Sequence, residues 1–191
     1  MQVPHLTTDG DAIQRKDGWG ARLRRRLWSV GRLFPVSTAV DSITTVSRLD
    51  ASPHAVWSAL VFYEEVQRPA PFVLRLLLPT PVRTRRDGNH AGDIVECTYS
   101  TGYLVKRIGV VQAPFVLTFD VLDQRLGIER CITTVAGSYA IRARDHGSEI
   151  ALTTRYRGHL RPRALWRPIE RMVAHNLHRH IVSGMRLKTM P

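Results

Sequence analysis

Long apolar runs are missing from this chain of 191 residues. Nowhere do about 18 uncharged hydrophobic residues follow one another, so no membrane-spanning helix is expected. Cysteine is scarce: Cys97 and Cys131 are the whole complement. Two cysteines are too few for a disulfide framework, which favours a reducing, cytoplasmic setting. Catalytic signatures are lacking as well. There is no GxSxG elbow, P-loop, GxGxxG or HExxH, and Ser138 in Gly-Ser-Tyr has no base near it in sequence. Neither zinc-ligand spacing nor an RRM-type aromatic signature is present, so specific nucleic-acid recognition is not indicated. No cofactor is called for. What remains, 43% hydrophobic and 23% charged, is the composition of one ordinary globular domain.

Acidic residues are few, 16 against 28 basic ones, for a net charge of +12. The excess sits in two segments. Residues 15–34 hold seven basic groups and one acid, Asp17; residues 155–188 hold nine and one acid, Glu170. Everything between is near neutral. Such a balance suits anionic partners, and it equally suits a plain solubilising surface. In residues 19–34 (WGARLRRRLWSVGRLF), Trp19, Leu23, Leu27, Val30 and Phe34 fall on one side of a helix ended by Pro35. Arg26 intrudes on that stripe and Trp28 points away from it. Two readings stand. One is an interfacial helix weakly attached to an anionic membrane face, such as the inner membrane. The other is an extension packed on its own domain or on a second subunit, as in a homodimer. Residues 1–40 therefore read as an N-terminal extension, and 41–191 as the domain.

From residue 42 the pattern changes. Residues 42–49 (SITTVSRL) predict a strand, and Ser52-Pro53 an N-cap and first-turn proline before Val56, Trp57 and Leu60. Four prolines in 69–81 predict a short helix or irregular lid. Strand-sized runs follow at 93–100, 103–111, 115–122, 128–144 (one or two strands, Gly137 a candidate bulge) and 149–157. Tight turns separate them, which predicts an antiparallel meander. The chain closes with a helix over 163–187. Its apolar stripe of Trp166, Ile169, Val173, Leu177, Gly184 and Leu187 is expected to face the core.

This order, with DASPHAVWSAL (50–60), GSYAI (137–141) and TTRYRGHLRP (153–162) leading into the last helix, resembles the SRPBCC superfamily. That superfamily includes START-like lipid-binding and polyketide cyclase/dehydrase-like proteins. The resemblance spans roughly residues 40–188. It implies an α+β helix-grip fold, a curved antiparallel sheet around the C-terminal helix, with a cavity between them for an apolar or amphipathic molecule such as a lipid, isoprenoid or polyketide. It does not imply catalysis, because the superfamily shares a cavity and not a catalytic set.

Candidate residues for such a cavity follow from spacing. Tyr99, Tyr139 and Tyr156 each share a strand face with apolar neighbours, Phe119 alternates with Leu117 and Val121, and Thr154 lies between Leu152 and Tyr156. A few hydroxyls in an apolar pocket orient a ligand, and they serve equally as core filling. Tyr103 and Arg107 share a face with Val105, and Arg107 is placed to meet a ligand carboxylate or Glu96. On the terminal helix, His180 falls within the apolar arc near Val173, with Asn176 at its edge. Buried polar groups there need partners, either a ligand or the sheet. If there is an enzyme here, His180 and the cavity tyrosines are its acid–base groups, as a cyclase or dehydratase would use. His175 and His178 are expected on the polar side, so three imidazoles do not converge on a metal.

Overall fold

The computed structural model describes residues 39–61, 81–86 and 90–189. The expectations for 19–34 and for 69–80 concern residues outside that set. The elements in chain order are β1 (Asp41–Leu49), α1 (Pro53–Val61), β2 (Pro81–Arg86), β3 (Ile94–Tyr99), β4 (Gly102–Gln112), β5 (Val116–Arg125), β6 (Ile132–Arg144), β7 (Gly147–Gly158) and α2 (Arg163–Thr189). The strands form one seven-stranded antiparallel sheet in the order β1-β7-β6-β5-β4-β3-β2. The first strand thus closes against the last, and the meander runs from β7 back to β2.

Local chemistry sets several boundaries. The Ser52 hydroxyl accepts from the Ala55 N–H at 3.3 Å and the Ser52 carbonyl from the Val56 N–H at 3.0 Å, so α1 starts where the cap and Pro53 placed it. Between β6 and β7 a two-residue turn, Asp145-His146, joins Arg144 to its partner Gly147. Gly147 has φ +111°, and a Cβ there would lie 2.2 Å from the Leu49 carbonyl oxygen, so only glycine fits. β2 is a strand that periodicity missed. Its sequence, PVRTRR, is too polar to read as one, but an edge strand tolerates a leading proline and benefits from charge. β6 is one continuous strand, irregular between Thr134 and Ala136 rather than at Gly137.

Both helices pack on one face of the sheet. Leu49, Val56, Leu60, Ile141, Ile150, Leu152, Val182 and Met185 form the main core there. Val95, Cys97 and Leu104 form a second, smaller cluster near the far edge.

The orientation of α2 differs from the expected one. Its buried residues are Glu170, His178, Val182 and Met185. Ile169 and Leu187 of the expected stripe are exposed, while Trp166, Val173, Leu177 and Gly184 are only half-buried. The helix is rotated because His178 has partners waiting on the sheet, and Glu170 pairs with Arg163, which Asp41 of β1 holds in place. Hydropathy alone ranks both as surface residues.

Candidate functional site

Side chains alternate across a strand, so the pairing register tells which residues share the helix-covered face. Thr154 pairs with Gly137 and Leu152 with Tyr139. Gly137 pairs with Phe119, Phe119 with Ile108, and Val121 with Lys106. Leu104 pairs with Cys97, and Tyr99 lies two residues further along β3. Tyr99, Phe119, Tyr139, Thr154 and Tyr156 therefore stand on one inner face, as their spacing suggested. Tyr103 and Arg107 belong to the opposite face, and their assignment to the cavity is corrected. Tyr103 donates instead to Asp123 Oδ2 at 2.9 Å, which pushes its pKa up, and Arg107 is exposed.

The middle of the inner face lies between the two packed clusters. There Phe119, Val121 and Tyr139 are half-buried, with the Phe119 and Tyr139 rings 6.2 Å apart and tilted by 37°. Lys106, also half-buried, holds its Nζ 4.9 Å above the Phe119 ring, a cation–π distance. Sequence reasoning missed this lysine because β4 is apolar on both faces (Leu104 and Ile108 inside, Val105 outside), and alternation pointed to the Tyr103–Val105–Arg107 face instead. Gly137 makes the Phe119 position accessible: a Cβ there would lie 2.3 Å from Cζ of the Phe119 ring, which rests across β6. Gly137→Ala is expected to displace that ring and destabilise the fold by about 1–3 kcal/mol, the usual cost of overpacking. A urea titration reads it, and an unchanged midpoint would contradict the stacking.

One flank of α2 faces toward β1. His175 meets Thr45, and an Arg186 guanidinium N–H donates to the Arg48 carbonyl at 2.9 Å. The flank away from β1 carries Val173, Leu177 and His180. His180 is half-buried there, and burial lowers its pKa. Asn176 is exposed, outside the arc expected for it.

His178, expected on the polar side, is instead the most buried polar residue of α2, 2% exposed. Its Nδ1 lies 2.8 Å from Thr45 Oγ1 and its Nε2 lies 2.8 Å from Thr154 Oγ1. Thr45 Oγ1 also lies 2.7 Å from His175 Nδ1. Proton counting leaves two self-consistent senses for the chain His175–Thr45–His178–Thr154, since each neutral imidazole and each hydroxyl has one proton to donate. Burial, with a smaller push from His175, lowers the His178 pKa to about 4. Neutral His178 thereby pins α2 to both β1 and β7.

At the start of α2, Arg163 donates to Glu170 Oε1 and to Asp41 Oδ2, both at 2.6 Å, and Arg167 holds Asp41 Oδ1 at 2.7 Å. Beside this network Tyr156 is almost wholly buried. Burial, then the Glu170 carboxylate, pushes its pKa up to about 12. Tyr156 Oη, Glu170 Oε2 and His159 Nδ1 are buried without a hydrogen-bond partner among the described residues. Tyr156 thus belongs to the closed end of the helix rather than to the half-buried middle. Burial also raises the Cys131 thiol pKa, against a nucleophilic role. No group of three or more His, Cys, Asp or Glu residues suited to a metal occurs among the described residues.

No protein-family model matches the chain, and no curated protein matches it. Solved structures do. Truncated norcoclaurine synthase from Thalictrum flavum superposes with a TM-score of 0.54 at 12% identity, covering 81% of this chain and 96% of that one. Norcoclaurine synthase from the same source, in complex with dopamine and hydroxybenzaldehyde, gives 0.53 at 12% identity, covering 96% and 95%. Ara h 8.0201 gives 0.50 at 13% identity, covering 77% and 99%. The likeness is one of fold: a curved antiparallel sheet gripping a long C-terminal helix. No helix among the described residues is long and apolar enough to cross a membrane.

Proposed function

We propose that the middle of the inner sheet face binds a hydrophobic or amphipathic small molecule, non-covalently, beneath the Val173–Leu177–His180 flank of α2. The observation that carries the reading is half-buried Phe119 and Lys106 between two clusters, flanked by Tyr139 packed on one and Val121 packed on the other. Aromatic area supplies affinity, while Lys106 and the Tyr139 hydroxyl supply direction. A lysine on that face favours a ligand with an anionic or carbonyl group near one end. The helix-grip fold supports the same reading, and one of the similar structures is a complex with dopamine and hydroxybenzaldehyde.

An organic extract and native mass spectrum of the purified full chain test for a co-purifying molecule. In parallel, the anionic dye anilinonaphthalene sulfonate should bind saturably at one site. Lys106→Met is expected to weaken it by roughly tenfold, the scale of one charge-assisted contact. Phe119→Ala should weaken it by a similar factor. Absence of both a co-purifying molecule and saturable dye binding would overturn the reading.

A second reading, turnover by His180 with a cavity tyrosine, draws on one observation: the lowered pKa keeps His180 neutral near pH 7 and available as a base. It demands a rate that falls on acidification and disappears in His180→Leu.

A further inference from the structure

The outer face of α2 has a composition that neither the core nor the inner site explains. Leu165 is 57% exposed, Ile169 39% and Met172 53%, and their spacing (i, i+4, i+7) places them on one helical side. Arg179 lies near the same side and Arg171 about a quarter-turn round from Met172, both exposed, while Arg167 is held by Asp41. The only acid on the helix, Glu170, is turned inward and paired with Arg163. Arg167, Arg171 and His175 also wall an open depression whose floor includes Pro168 and Met172, so cationic and apolar atoms sit side by side.

We propose that this face of α2 docks on an anionic lipid bilayer, with Leu165, Ile169 and Met172 entering the interface and the arginines meeting lipid phosphates. Charge complementarity selects this occupant. Residues 15–34 of the chain are themselves strongly basic and would be repelled by it. A second copy would bring like charges together. A nucleic acid would satisfy the arginines but gain nothing from three exposed apolar side chains, whereas an interfacial helix uses both. The surface is separate from the inner face, so the proposal stands or falls independently of the small-molecule reading.

Sedimentation of the full chain with vesicles tests it, comparing phosphatidylcholine alone with phosphatidylcholine containing phosphatidylglycerol. Partitioning should require the anionic lipid and weaken with added salt. The pairs Leu165→Gln/Met172→Gln and Arg171→Gln/Arg179→Gln should each lower the partition coefficient by roughly tenfold or more, with unchanged circular dichroism. These positions are exposed, so the variants are expected to fold. Three results would overturn the proposal. One is no preference for anionic vesicles. Another is binding lost only in Arg24→Gln/Arg25→Gln, which would assign it to residues 19–34. The third is binding to duplex DNA, insensitive to Leu165→Gln/Met172→Gln, in place of vesicle binding.

Discussion

Arg163→Met should destabilise the protein by about 2–4 kcal/mol, read as a lowered urea midpoint with an unchanged slope. Arg163 is the hinge of the network at the start of α2: one guanidinium N–H goes to Glu170 and another to Asp41. Removing it leaves Asp41 with Arg167, but strands the Glu170 carboxylate, which is buried and has an unpartnered Oε2 already. An uncompensated buried charge is what makes one-sided removal costly. The figure lies toward the low end because Arg163 keeps some solvent contact. Replacing both partners, Arg163→Met with Glu170→Gln, should recover most of the loss, since the stranded charge goes with its partner. A single variant costing under about 1 kcal/mol, or a double variant no better than the single, would show that the pair does not anchor the helix.

Acid should loosen the same helix through a different residue. His178 has a pKa of about 4 in the folded chain, against an ordinary value of 6.5. Below pH 6.5 the unfolded chain takes up a proton that the native chain refuses. The stability linked to His178 is therefore intact above about pH 6.5 and is lost as pH falls toward 4. The whole interval is worth on the order of 3 kcal/mol. Burial lowers His159 and His180 as well, which adds slope of the same sign. His178→Leu should flatten the dependence while lowering stability at pH 7.5, because the Thr45 and Thr154 hydroxyls lose their partner. Urea midpoints at pH 7.5, 6, 5 and 4 for both proteins measure it. Parallel curves would mean that His178 is not the group that titrates.

Two histidines of α2 were treated in opposite ways by sequence reading. His180 drew attention because it lies within a run of apolar residues on a helical wheel, and it is half-buried. His178 was set aside as a surface residue, and it is the deepest of the three. The wheel counts hydrophobicity around the helix but knows nothing of what lies opposite. Thr154 interrupts the apolar run of Ile150, Leu152 and Tyr156 on β7, and that interruption was the available signal for a polar partner on the facing helix. The inner-face residues Tyr99, Phe119, Tyr139 and Thr154 were legible because each strand alternates with a period of two. Tyr103, Arg107 and Lys106 were not, because β4 has apolar residues on both sides and only its pairing with β3 and β5 fixes which side is inside.

What the sequence determined by itself is the order of the elements other than β2, whose polar edge sequence hid it. Ser52-Pro53 starts α1, Asp145-His146 turns β6 into β7, and a sustained helical period marks α2. Each is set by backbone chemistry within a few residues, so no distant contact is needed to read it. The helix-grip architecture follows from that order. Tertiary structure decided which side of α2 is buried, because His178 is satisfied by Thr45 and Thr154 on the sheet, and the Arg163 that pairs with Glu170 is held by Asp41 of β1. Thr45 stands 133 residues before His178, and Asp41 stands 122 before Arg163. A buried polar group is costly alone and acceptable when paired, so its place is fixed only once the sheet has brought its partner to it.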